Sequence, residues 1–194
     1  MQRRAFLAAL AALGLAGPAL AGSRTAQGLV ILDSPKTLPS LDIRDGDSNP
    51  AGLDALRGQA VVLNLWASWC MPCVAELPAL DRLKPRAEAK GVAVVALSLD
   101  RGGKIKVVNT YARLGIAALG IRTDEARTAA EKLEVAVLPV SLLLDRQGRE
   151  VARYIGAADW DSPQAAAMLD ALAAGRRLTA AMAPPLARTV IMAP

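Results

Sequence analysis

The sequence contains no histidine, and only two of its 194 residues are cysteine. Without histidine, the chain cannot form Ser–His or Cys–His catalytic pairs, and most types of zinc and copper site are excluded. Two cysteines alone cannot complete a four-thiolate metal site. Any chemistry that the protein performs must therefore use thiols, carboxylates, amines or hydroxyls.

Aromatic residues are scarce, at 3% of the chain, and the positive charges do not form a run. The formal net charge is +5, and charged residues make up 21% of the sequence, as in ordinary globular domains. Scattered charge with few rings to stack on bases offers no patch for nucleic acid. We therefore expect a globular domain without a nucleic-acid partner.

The N-terminal stretch MQRRAFLAALAALGLAGPALAGS combines a twin arginine, an apolar run over 5–21 and a small-residue ending. This pattern predicts an export signal peptide over 1–21. An uncleaved membrane anchor is the alternative, although the run is shorter than the about 20 apolar residues that span a bilayer. The start resembles the twin-arginine transport motif, and the general secretory route stays open. We expect the protein in a bacterial periplasm, with a linker over 22–35.

The runs AVVLNLWAS and VAVVALSLD are apolar and rich in β-branched residues, which predicts strands buried on both faces. The chain pattern predicts strands over 60–68, 92–100 and 117–124, a hairpin over 138–156, and helices over 70–90, 102–116, 125–135 and 162–175. Alternating strands and helices predict an α/β domain with a mainly parallel sheet and an antiparallel hairpin at its edge. Residues 176–194 lack periodicity, and we predict a flexible tail there.

Both cysteines lie in WASWCMPC, where the first long strand leads into a helix. Cysteines with this spacing at a helix start can pair without backbone movement, and the helix N-terminus favours the thiolate of Cys70. Cys73 lies one turn later, where it is better shielded. Pro72 falls in the first turn, where its missing amide has no helical partner. A redox-active pair is the favoured interpretation; a structural disulfide and part of a metal site are the alternatives.

The segments VVLNLWASWCMPCVAELPAL and LPVSLLLDRQGREVARYIG resemble the TlpA/ResA/CcmG group of exported thioredoxin-like thiol:disulfide oxidoreductases. GAADWDSPQAAAMLDAL and LDRGGKIKVVNTYARLGI resemble TlpA-like members in particular. The resemblance covers residues 36–175. It implies a thioredoxin fold with a central helix–strand insertion and a mixed sheet flanked by helices. The surplus helix–strand pair over 104–121 fits that insertion.

The resemblance implies a catalytic role for three residues. Cys70 matches the attacking cysteine of the group and Cys73 its resolving cysteine. Glu76 matches a glutamate that follows the second cysteine by three residues, and helix spacing puts it on the same face as Cys73. Asn64 stands where cytosolic thioredoxins carry a buried aspartate. Because asparagine is a neutral amide, it cannot accept the proton as that aspartate does. Glu76 is therefore the candidate for proton transfer, and a solvated helix glutamate is the alternative.

A client-binding surface around the disulfide is also implied. Pro139 matches the cis-proline that faces the disulfide in the family, whose neighbouring backbone receives the substrate chain. Val140 departs from the threonine that often follows this proline, which leaves the client preference open. The predicted surface comprises Trp69, Met71, Pro72, Leu138 and Pro139. Trp66 is explained equally well as a wall of the disulfide or as a core residue.

The activity that the resemblance implies is that of a reductase, which keeps client cysteine pairs reduced through the Cys70–Cys73 dithiol. Clients of the group include apocytochrome c and copper-delivery proteins of cytochrome oxidase assembly, and a membrane protein related to DsbD or CcdA supplies the electrons. We expect a monomer with no metal and no cofactor besides the disulfide. A disulfide-forming oxidase or isomerase is one alternative, because the sequence does not determine the redox potential. A copper-binding or client-binding chaperone is the other.

Overall fold

The computed structural model describes residues 27–187, so the predicted signal peptide over 1–21 lies outside the described residues. The strands are β1 Gly28–Thr37, β2 Arg44–Asp45, β3 Ala60–Trp66, β4 Val92–Ser98, β5 Arg122–Thr123, β6 Val140–Leu144 and β7 Arg149–Ile155. The α-helices are α1 Met71–Glu88, α2 Gly103–Leu114, α3 Thr128–Lys132 and α4 Pro163–Ala173. Within this part of the chain, seven strands form one sheet in the order β1-β7-β6-β3-β4-β5-β2.

The centre of the sheet is formed by β3 and β4, which run parallel. Every residue of both strands is buried, as the two continuous apolar runs predict. On its other side β3 pairs antiparallel with β6, and Leu65 lies opposite Val140. This register brings the residues just before β6 to the end of the sheet where β3 leads into α1.

Helices cover both faces of the sheet. Helices α1, α2 and α4 contribute to one apolar cluster, through residues such as Leu77, Val107 and Met168. The short helix α3 contributes Ala129 to a second cluster on the opposite face, and Leu133, directly after the helix, belongs to the same cluster. This mixed sheet with helices on two faces confirms the predicted α/β class.

The helix–strand pair predicted over 104–121 corresponds to α2 and β5. The strand is only two residues long, Arg122–Thr123, which lies within the strand predicted over 117–124 and just beyond the inserted pair predicted over 104–121. The loop between them is held by Asp81 on α1, whose carboxylate accepts the amide N–H groups of three consecutive residues at 2.7 to 3.3 Å. The segment is therefore anchored to the helix that carries the cysteines.

Three predictions about the fold were wrong. The sheet is mostly antiparallel, because only the β3–β4 and β4–β5 pairs are parallel. The hairpin is not at the edge, because residues 28–37, most of them assigned to a linker, form β1 and pair with β7. The tail predicted to be flexible from 176 packs on the domain as far as 187, with Leu178 buried, while 188–194 lie outside the described residues.

No helix within residues 27–187 combines the length and apolar character needed to cross a bilayer.

Candidate active site

The two cysteines form a disulfide at the junction between β3 and α1, with their Cα atoms 5.3 Å apart. Cys70 is the N-cap of the helix, and its Sγ accepts the backbone N–H of Cys73 at 3.3 Å. The residue exposures differ, at 7% for Cys70 and 0% for Cys73. Cys70 is therefore the more accessible of the two cysteines, and the free amides of the helix N-terminus stabilise a thiolate at that position.

Apolar side chains surround the accessible sulfur. Trp69 and Met71, which flank Cys70, are 59% and 71% exposed, although both are large hydrophobic residues. Pro72 is exposed beside them. These three side chains form an exposed apolar surface beside Cys70, and the binding of a client there stays a prediction.

The peptide bond between Leu138 and Pro139 is cis, as predicted. Pro139 is buried and Leu138 is half-buried, and the β3–β6 register brings both to the end of the sheet that carries the disulfide. Trp66, by contrast, is fully buried and stacks on Tyr111 with 5.8 Å between ring centroids. Of the two readings for Trp66, the structure supports the core residue.

Glu76 is 1% exposed, so it is not a solvated helix residue. Its Oε1 accepts Nδ2–H of Asn64 at 2.8 Å, and its Oε2 accepts the amide N–H of Ala158 at 2.9 Å and Nε1–H of Trp160 at 3.1 Å. Burial raises the pKa of Glu76 from its ordinary value of 4.5 to about 7, against the three hydrogen bonds, which favour the charged form. A carboxyl with this pKa can both accept and release a proton near neutral pH.

Asn64 connects this carboxyl to the sheet. The Asn64 Nδ2 group also donates to Ser141 Oγ at 2.9 Å, while its Oδ1 has no partner among the described residues. The groups that bond Glu76 are neutral donors, so hydrogen bonding and not a paired charge opposes the effect of burial on its pKa.

Sequence reasoning missed two contacts that support the cysteine loop. Asp100, at the end of β4, accepts both the amide N–H and the hydroxyl of Ser68 at 2.8 Å. The guanidinium of Arg127 lies 5.3 Å from the centroid of the Trp69 ring, and its Nε donates to the carbonyl of Leu99 at 2.8 Å. This is cation–π geometry.

The sequence signals for the missed residues differ in strength. Trp160 carries a signal, because it lies in the motif GAADWDSPQ and is one of few aromatic residues in the chain. Arg127 carries no such signal, because it lies 58 residues from Trp69 in an alanine-rich stretch. Across residues 27–187, the structure brings no group of three His, Cys, Asp or Glu side chains together as metal ligands. The absence of a metal or other cofactor stays a prediction.

A family model described as Redoxin matches residues 34–169. The chain belongs to the redoxin family. The thiol-disulfide oxidoreductase ResA of Bacillus anthracis is 32% identical to this redoxin over 121 residues, which cover 62% of this chain and 69% of ResA. ResA of Bacillus subtilis is 28% identical over 118 residues, covering 61% and 65% of the two chains.

Solved structures support the same fold. A thiol:disulfide interchange protein of the DsbE type from Chlorobium tepidum matches this redoxin with a TM-score of 0.63 and 26% identity, over 73% of this chain and 98% of that one. The exposed lipoprotein thioredoxin of Streptococcus pneumoniae matches with a TM-score of 0.59 and 24% identity, over 69% and 100% of the chains. This redoxin is thus a thiol:disulfide oxidoreductase with a thioredoxin-like fold, and Cys70–Cys73 is its redox disulfide.

Proposed function

We propose that this redoxin is a periplasmic reductase that keeps the cysteine pairs of client proteins reduced, with Glu76 as the acid–base group of the reaction. The observation that carries the acid–base role is the buried Glu76 carboxyl, one helical turn after Cys73, with a pKa of about 7. The resemblance to the TlpA/ResA/CcmG group supports the reducing direction. The export signal in the sequence supports the location. The clients proposed are apocytochrome c or copper-delivery proteins, and the electron donor is a DsbD- or CcdA-like membrane protein.

In the first step, Cys70 forms a mixed disulfide with the client. The Cys70 thiolate attacks one sulfur of the client disulfide, the client S–S bond breaks, and one client thiolate leaves. A mixed disulfide between Cys70 and the client remains. Cys70 is suited to this attack because it is the more exposed cysteine and sits at the helix N-terminus.

The second step closes the Cys70–Cys73 disulfide. The Cys73 thiol transfers its proton to Glu76, and the resulting thiolate attacks Cys70 Sγ, which releases the second client thiolate. Two electrons have then passed from the protein to the client. A buried thiol without a nearby base is held in its unreactive protonated form, so the step needs such a carboxyl. Two donor thiols later reduce the disulfide, with Glu76 returning the proton to Cys73.

The client chain is proposed to lie across the apolar surface beside the disulfide. Trp69, Met71 and Pro72 supply its exposed side chains on one side of Cys70, and Leu138 and Pro139 supply the neighbouring backbone. Because Pro139 O accepts the N–H of Gly156 at 2.9 Å, that carbonyl is already occupied and the carbonyl of Leu138 is the one offered to a client.

The acid–base role is tested by Glu76→Gln, which keeps the size of the side chain and removes the ionisable group. We expect reduction of a disulfide client to slow by about ten- to a hundredfold at neutral pH and to lose its titration near pH 7. Stopped-flow tryptophan fluorescence across a pH series measures both. The matched control is the exposed Glu131→Gln, which should behave like the wild type. Superimposable pH profiles for wild type and Glu76→Gln would contradict the role.

The direction of electron flow is tested by the midpoint potential of the Cys70–Cys73 pair. A reductase should lie near the thioredoxin value of about −270 mV, and an oxidase near −120 mV. In cells, the pair should be mostly reduced and should become oxidised when the membrane donor is deleted. A potential at the oxidising end, with the pair oxidised in untreated cells, would instead identify a disulfide-forming enzyme.

A further inference from the structure

The chain after α4 returns to the loop that follows β7. Residues Pro184–Ala187, here called the C-terminal strap, lie beyond the stretch that matches the redoxin family model. The strap pairs with the loop 157–159, because the amide N–H of Ala187 donates to the carbonyl of Ala157 at 2.8 Å. A second bond of 2.8 Å runs from the amide of Asp159 to a strap carbonyl. The strap therefore fixes the loop from both of its ends.

The strap is also anchored to strand β7. The hydroxyl of Tyr154, the penultimate residue of β7, donates to the carbonyl of Pro184 at 2.8 Å. Both Tyr154 and Pro184 are buried. The Pro184–Pro185 pair has no amide donors and restricted φ angles, which favours an extended segment whose carbonyls are free to accept.

A single peptide group connects the strap to the acid–base site. The carbonyl of Ala157 accepts the Ala187 amide, and the amide of Ala158, in the same peptide plane, donates to Glu76 Oε2 at 2.9 Å. In a trans peptide the C=O and N–H point in opposite directions, so fixing one fixes the other. Hydrogen bonds in such a chain also polarise one another, which strengthens the donor that faces Glu76.

We propose that the C-terminal strap is a positioning element for the acid–base step. It holds the Ala157–Ala158 peptide against Glu76 and closes the outer side of the loop to water. The proposal rests on the proposed role of Glu76 in catalysis. The hydrogen bonds of the strap go to the loop and to Tyr154, so the strap acts through the loop.

The groups around Glu76 determine how loss of the strap would change the pKa of this carboxyl. The groups in contact with the carboxyl are neutral: Asn64 from β3, and the amide and indole donors of residues 158 and 160. The ionisable groups around it are the Tyr154 phenol on β7, whose own pKa is raised by burial and by Glu76, and Cys73 on α1, which is disulfide-bonded. Asp159 in the loop also raises the pKa of Tyr154. Loosening the loop would weaken the Ala158 hydrogen bond, a change that raises the pKa of Glu76, and would admit water, a change that lowers it. Burial is the largest cause of the raised pKa and the opposing Ala158 bond is the second influence, so the net change expected is a fall.

The test removes one hydrogen-bond donor from the strap. Ala187→Pro eliminates the amide that bonds Ala157, and Ala187→Gly keeps it. The matched control is Ala180→Pro, at the first position of a short 3-10 helix and preceded by an extended residue, where proline is tolerated. A second perturbation, Tyr154→Phe, removes only the hydroxyl that bonds the strap.

The readout is the indole N–H resonance of Trp160, which bonds Glu76 and reports its titration independently of any client. On the oxidised full-length protein, we expect the midpoint to fall by about one pH unit in Ala187→Pro and in Tyr154→Phe. The pH profile of client reduction should move by the same amount. Ala187→Gly and Ala180→Pro should keep the wild-type midpoint.

The outcomes separate this proposal from the role of Glu76. Folded Ala187→Pro and Tyr154→Phe variants with an unchanged Trp160 midpoint would overturn the positioning role of the strap. Global unfolding of both variants would also overturn it, because the strap would then serve the stability of the fold. A shifted midpoint with no effect of Glu76→Gln on the reaction rate would support the strap and refute catalysis by Glu76.

Discussion

Replacing Glu76 by glutamine should change how the stability of the protein depends on pH. The carboxyl has a pKa of about 7 in the folded protein and an ordinary value of 4.5 once unfolded. Between these values the folded state binds more protons than the unfolded chain, so the free energy of unfolding falls as the pH rises. The difference corresponds to about 3 kcal/mol at 1.36 kcal/mol per pKa unit. This destabilisation is absent below pH 4.5 and complete above pH 7.

Glutamine is neutral at every pH and therefore lacks this dependence. Its carbonyl can accept the two bonds that Glu76 Oε2 accepts, and its amide can donate to Asn64 Oδ1 after a flip of the Asn64 side chain, because that oxygen has no partner among residues 27–187. We therefore expect Glu76→Gln to fold. Relative to the wild type, it should gain up to about 3 kcal/mol between pH 4.5 and pH 8.

The assay is urea denaturation of the oxidised proteins at half-unit steps of pH, which keeps the cysteine thiols out of the titration. The exposed Glu131→Gln serves as the control and should follow the wild type throughout. Parallel stability curves for wild type and Glu76→Gln would refute the reasoning, because they would mean that Glu76 titrates at the same pH in the folded and unfolded states.

Further expectations concern the cysteines and their surroundings. Cys70→Ala should abolish thiol exchange, whereas Cys73→Ala should trap clients as mixed disulfides on non-reducing gels, and equal alkylation of both thiols at mildly acidic pH would contradict these roles. Arg127→Gln should raise the acrylamide quenching of Trp69, and no change in quenching would mean that the cation does not hold the ring. Asp81→Ala should destabilise the domain by about 1–3 kcal/mol in urea, since the inserted loop loses its acceptor, and an unchanged midpoint would refute the anchoring.

The elements of the fold were mostly predictable, because their signals are local. The apolar runs of β3 and β4 predicted buried strands, and the Ser162 cap and the proline after it marked the start of α4. The edge strand β1 was missed because none of its residues is buried, so its sequence has no strong apolar pattern, and because it contains a proline. Its assignment depends on its pairing with β7, which lies more than a hundred residues away.

In the candidate site, too, the features with local sequence signals were predictable and those that depend on distant residues were not. The sequence by itself determined the CxxC pair, the helix start that favours the Cys70 thiolate, and the one-turn spacing from Cys73 to Glu76, because each depends on neighbours within a few residues. Only the tertiary structure decided that Glu76 is buried, since its partners Asn64, Ala158 and Trp160 come from 12 to 84 residues away. Burial is what raises the pKa of this carboxyl to about 7, and burial is a property of packed surfaces that no local pattern contains.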